Sequence, residues 1–147
     1  MHIAVQAEPF DLGAQATVFA ANCAGAGAIV TFTGVVRNSD AGNLVAMEIE
    51  HYPGMTERAI RSIAQEAVAR WHLADCLVIH RYGRLVVGDA IMMVATAAPH
   101  RADAFAAAEF LMDYLKSRAP FWKKEISGEG ADWVAAKDTD EAALNRW

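Results

Sequence analysis

The sequence predicts an α+β domain, a mixed or antiparallel sheet with helices packed on one face. Three observations carry this. Short β-branched runs are separated by turn residues and interrupted by single helical periods, in the order β-α-β-β-α-β-β-β-α. One segment, from Thr56 to Trp71, repeats Ile60, Ile63, Ala64, Ala67, Val68 and Trp71 at helical spacing, the best amphipathic stripe in the chain. Finally, 147 residues with 54% hydrophobic and 21% charged content suit one domain, residues 1–147, with its own core. No repeat, low-complexity tract or linker divides it.

Each element has its own warrant. Ile3–Val5 reads as a short strand. Asp11 to Asn22 reads as a helix, with Asp11 as N-cap and Leu12, Val18 and Phe19 on its apolar side. Cys23–Gly27 breaks it, and the β-branched run Ala28–Val36 follows as a strand. Arg37–Asn43 has the composition of a polar turn. Leu44–Tyr52 alternates, which would put Val45, Met47, Ile49 and His51 on one face and Glu48, Glu50 and Tyr52 on the other. Pro53-Gly54 ends that strand, and Thr56 is a cap for the helix that follows. Leu77–Tyr82, Arg84–Val87 and Ile91–Ala98 are extended, with Gly88-Asp89 as the turn before the last. A third helix runs to about Ser117 on a spine of Phe105, Ala108, Met112 and Leu115. Beyond Pro120 the chain is irregular or short-stranded, and Asp138–Trp147 has room for a last helical turn or two.

The bulk numbers narrow the function classes. A net charge of −5 argues against nucleic acid as the main partner, since such proteins usually present a broad basic face. No apolar run approaches the roughly 20 residues of a membrane span. The N-terminal MHIAVQAEPF lacks the basic and apolar regions of a signal peptide. Cys23 and Cys76 have no metal-ligand spacing and read as two reduced thiols. A cytoplasmic protein without a metal or cofactor is the expectation.

Against this acidic background, YLKSRAPFWKKE (Tyr114–Glu125) concentrates Lys116, Arg118, Lys123 and Lys124 around a proline and two aromatics. Pro120 forces the chain out of the helix. Phe121 and Trp122 are expected to be buried by their size and to hold Lys123 against an apolar wall. Cations in a partly desolvated pocket depress one another's pKa, and a lysine so placed can serve as acid, base or nucleophile near neutral pH. The bland alternative is a solvated basic turn, with Lys116 merely complementing the helix dipole.

His100 and Arg101 stand where the third helix begins, at the end of the dipole that is already positive. Either they form a pocket for a phosphate or carboxylate with the free N–H groups of the first turn, or both point into solvent. Arg37 follows a strand directly and could reach a phosphate. His51 and His80 read as structural, and Glu48 and Glu50 as a solvated edge. No Ser/His/Asp triad, phosphate-binding loop or dinucleotide fingerprint is present.

Six segments in order resemble the family of molybdopterin synthase large (catalytic) subunits. They are TFTGVVRN (Thr31–Asn38), EHYPGMTE (Glu50–Glu57), VIHRYGRL (Val78–Leu85), the Gly88-Asp89 turn, APHR (Ala98–Arg101) and MDYLKSRAPFWKKE (Met112–Glu125). The resemblance runs from Ala28 to Trp147. It implies an α/β hammerhead-like fold with a small added β subdomain. It also implies a sulfurtransferase that converts cyclic pyranopterin monophosphate to molybdopterin. Sulfur would arrive on the C-terminal Gly-Gly thiocarboxylate of a small ubiquitin-like subunit, within a heterotetramer built on a homodimer of the large subunit.

Position by position, Lys116 and Lys123 match the family's active-site lysines. Arg37, His100 and Arg101 match its substrate pocket, with some of them contributed by the neighbouring chain. Phe121 and Trp122 would shape the pocket wall, and Arg118 and Lys124 would attract the partner's tail. The loop Ser39–Asn43 departs from the family pattern. A non-catalytic assembly module of the same fold is the alternative; it predicts loss of Lys116 or Lys123, and both are present. A Schiff-base enzyme working without a protein partner is a second.

Overall fold

The computed structural model describes residues 1–147. The elements are β1 (His2–Gln6), α1 (Leu12–Ala21), β2 (Ala28–Val35), β3 (Leu44–His51), α2 (Met55–Trp71), β4 (Asp75–Arg81), β5 (Gly83–Leu85), β6 (Ala90–Ala98), α3 (Arg101–Ser117), β7 (Phe121–Ser127), β8 (Gly130–Trp133) and α4 (Asp138–Ala143), followed by a 3-10 turn over Leu144–Arg146. The first nine follow the expected order. The eight strands build two four-stranded sheets, β1-β4-β6-β2 and β5-β3-β7-β8. Only the β1–β4 pair is parallel. No helix is long and apolar enough to cross a membrane.

The first sheet is covered on both faces, where helices on one face were expected. Strands β4 and β6 are apolar at successive positions, so neither face can be left to water. Cys76, Val78, Met92 and Val94 face α2 and α3 in the main core. The alternate residues Leu77, Ile79, Met93 and Ala95 pack with Phe19 and Cys23, at α1 and just after it. Asp11 caps α1 by accepting the Ala14 N–H at 2.9 Å. Of the expected apolar side of α1 only Phe19 is buried; Leu12 and Val18 are exposed.

Three further expectations change for physical reasons. On α3 the buried spine is Ala104, Ala107, Ala108, Phe110, Leu111 and Leu115, while Phe105 is 62% exposed. Alanines let the helix lie close against the sheet; a phenylalanine at that contact would hold it off. On β3 a bulge between Leu44 and Ala46 takes Val45 out of the alternation that it was expected to share with Met47 and Ile49, and Val45 is exposed while Ile49 is buried. Thr56 does not cap α2. Gly54 is the N-cap, with Glu57 accepting its N–H at 2.7 Å. Thr56 is fully buried instead: it accepts the Tyr52 N–H at 3.0 Å and donates to the Pro120 carbonyl at 3.2 Å. It thereby ties the start of α2 to the turn between α3 and β7.

Candidate active site

That turn sets the site. Pro120 ends α3, and the chain re-enters as β7, pairing antiparallel with β3 so that Phe121 lies opposite His51 and Lys123 opposite Ile49. Phe121 stacks on the buried His80, ring centroids 3.7 Å apart and planes 15° from parallel. The Nδ1 of His80 lies 2.8 Å from the Arg81 carbonyl. A carbonyl can only accept, so Nδ1 carries a proton. Burial, with Lys123, Lys116 and His51 nearby, pushes its pKa down to about 3 despite that hydrogen bond. The aromatic floor under β7 therefore carries no charge at neutral pH.

Above this floor Lys116, in the last turn of α3, and Lys123, on β7, line one cavity of about 330 Å³. Trp122, Trp133, Lys137 and Asp140 complete its walls. Burial lowers the Lys123 amine to about 8; Lys116 lowers it too, Asp140 opposes the change, and Lys137 lowers it further. An amine near 8 can both hold and release a proton at neutral pH, as a general acid or base requires. Trp122, expected to be buried, is 49% exposed, because it forms a wall open to the cavity rather than part of the core. Lys124 alternates to the other face of β7, pairs across the strand with Glu48 and places its Nζ 4.7 Å over the Trp133 ring. Arg118 is engaged: its guanidinium contacts both carboxylate oxygens of Glu141, at 2.7 and 2.8 Å.

The chain does not bring Arg37, His100 and Arg101 into this cavity. His100 and Arg101 are exposed at the far end of α3, about 22 Å from Lys116 along the axis at 1.5 Å per residue. Gly27 fixes their turn: a Cβ there would lie 2.2 Å from the Pro99 carbonyl oxygen, so only glycine fits. Arg37 lies beyond the opposite end of the β2–β6 ladder, in which Ala28 pairs with Ala98 and Val35 with Ala90. Its side chain is 82% exposed, with Asp40 3.8 Å away.

Sequence reasoning missed Lys137, Asp140 and Trp133. The acids Asp138, Asp140 and Glu141 open a short helix and look like ordinary dipole complements. Only their docking reveals a second role: Ser117 donates to the Asp140 carbonyl at 2.8 Å and Arg118 pairs with Glu141, which lays the tail along the lysine pair.

A family model described as MoaE protein matches residues 5–118. The chain belongs to the MoaE family. Among MoaE relatives, the molybdopterin synthase catalytic subunit of Cereibacter sphaeroides is 73% identical over 147 residues, spanning all of both chains, so the likeness includes the tail that walls the cavity. The MoaE protein of Burkholderia ambifaria superposes with a TM-score of 0.83 at 51% identity, covering 100% of this chain and 98% of that one. A chain from the complex of subunits 1 and 2 of molybdopterin-converting factor from Helicobacter pylori shares the MoaE fold at 17% identity, with a TM-score of 0.77 over 92% of this chain and 90% of that one.

Proposed function

We propose that this chain is the catalytic subunit of a molybdopterin synthase. It moves sulfur from the C-terminal Gly-Gly thiocarboxylate of a small ubiquitin-like carrier to cyclic pyranopterin monophosphate, forming the dithiolene. The observation that carries this reading is the pair Lys116 and Lys123 in one cavity, with the Lys123 amine lowered to about 8. The thiocarboxylate and the substrate phosphate are both anions, and cations must hold them together against their repulsion. Lys116, exposed at the helix end, holds the thiocarboxylate. Lys123 supplies and removes the protons needed to open the cyclic phosphate and eliminate water. Phe121 and Trp122 shape the channel for the carrier's tail, and Lys124 contributes positive field beside it, while Arg118, paired with Glu141, acts by holding this chain's own C-terminal segment against the cavity. The buried free thiols of Cys23 and Cys76 support a reducing compartment, the cytoplasm, for this protein.

The substrate's phosphate and pterin are bound by Arg37, His100 and Arg101, with His100 and Arg101 reaching the cavity from a second copy in a homodimer. Two features support this. The separation of about 22 Å along α3 keeps them from their own chain's lysines. Strand β2 is an open sheet edge that exposes Ile29, Phe32 and Val35, a surface that pairing with another chain would cover.

Two assays test this. The protein is mixed with thiocarboxylated carrier and cyclic pyranopterin monophosphate, and molybdopterin is detected as its fluorescent oxidation product. Product is expected; none, with a carrier proven on another synthase, would favour the assembly-module reading. For the shared site, Lys123→Ala and Arg101→Ala homodimers are inactive alone. Mixed and re-equilibrated, half the dimers are heterodimers with one intact site, so about a quarter of wild-type activity returns. No recovery would place Arg101 and Lys123 of one chain in the same site.

A further inference from the structure

We propose that Trp147 is a positioning residue for the lysine cavity: its indole, lodged against Trp71, Phe110 and Asp113, fastens the tail so that the wall bearing Lys137 and Asp140 stays closed over Lys123. The proposal rests on Lys123 being the proton carrier.

The wall has little burial of its own. The residues of β8 and the stretch Val134–Lys137 are exposed, and α4 buries no residue. A helix of six residues does not hold itself together in water. The wall is therefore kept in place from its two ends. At one end the Val134 N–H donates to the Lys123 carbonyl at 2.7 Å. At the other, beyond the Ser117 and Arg118 contacts, Trp147 meets Trp71 and Phe110 edge-on, each at 5.5 Å. Its indole N–H donates to Asp113 at 2.6 Å, and Arg70 reaches its carbonyl at 3.4 Å. Arg146 bridges Glu109 and Asp113 beside it. These partners all belong to α2 and α3, the helices of the main core. The clasp thus transmits the rigidity of the core to a segment that would otherwise open locally.

The groups around the Lys123 amine are Lys116 of α3, Lys137 and Asp140 of the tail, and the neutral His80 of β4. Opening the wall removes both tail charges, which act in opposite senses, and rehydrates the amine. Burial is the largest influence on Lys123, so its proton affinity rises toward that of an ordinary lysine.

The test is the pH dependence of Lys123 acylation by an activated ester, followed by peptide mass spectrometry on the full chain. It needs neither carrier nor substrate. Trp147→Ala is expected to move the midpoint of the Lys123 titration upward by about one pH unit or more, a change of the size that desolvation controls. Trp147→Phe keeps the ring and loses the hydrogen bond to Asp113, so an intermediate midpoint is expected; it also reports if the alanine variant does not fold. An unchanged Lys123 titration in a folded variant, even one with a lower melting temperature, overturns the proposal. A raised titration midpoint beside a synthase assay that stays negative supports the clasp and sinks the functional reading alone.

Discussion

Lys123→Met is expected to abolish most sulfur transfer and, at the same time, to stabilise the protein at neutral pH. General acid–base groups contribute about 10²–10⁴-fold, so a loss in that range is expected. The stability gain has a separate origin. In the folded chain the Lys123 amine titrates at about 8 against an ordinary 10.5, so its charged form is disfavoured by folding. A tenfold change in proton affinity corresponds to about 1.4 kcal/mol; with the partial exposure of Lys123 discounted, the charge costs about 1–3 kcal/mol. Methionine fills similar space without a charge. The sign with pH follows. Below about 8 the amine is protonated in both states and the wild type bears the full cost. From there to 10.5 the folded amine gives up its proton first, wild-type stability rises, and the advantage of the variant fades. Thermal melts at pH 7 and pH 10 measure this. A variant less stable than wild type at pH 7 would show that the amine is not desolvated.

The second large effect is acid sensitivity from His80. Its folded pKa of about 3 lies below the ordinary 6.5, so the unfolded chain takes up a proton that the folded chain refuses. Stability is therefore lost as pH falls from about 6.5 towards 3, at up to about 1.4 kcal/mol per pH unit. Between pH 6 and pH 4 this amounts to about 2–3 kcal/mol. His80→Asn keeps a donor for the Arg81 carbonyl and gives up the titration and the stack on Phe121. It should start less stable at pH 7 and then lose less than the wild type on acidification. Urea unfolding at pH 7, 6, 5 and 4 compares the slopes; parallel slopes would remove His80 as their source.

Much of the fold was legible because its signals are local. The stripe Ile60–Trp71 finds the same core whatever surrounds it, Asp11 caps its helix through its own next residues, and Pro120 stops α3 wherever it stands. Elements were misread where a distant partner decides. Phe105 satisfies the helical period and is still excluded by the close approach of α3 to the sheet. Val45 satisfies alternation until a bulge shifts the register. Thr56 has the chemistry of a cap, and its hydroxyl is taken by Pro120, 64 residues away.

The same division holds for the site. The sequence by itself determined that two lysines would flank a chain reversal stiffened by proline and aromatics, and that His100 and Arg101 would stand at a helix start. The proximity of Lys116 to Lys123, the depressed amine, and the recruitment of Lys137 and Asp140 came only from tertiary structure. Charge and helix ends are properties of neighbouring residues, whereas desolvation depends on which remote segments exclude water. Here that segment is the tail, and its placement rests on Arg118, Ser117 and Trp147 meeting partners far away in the chain.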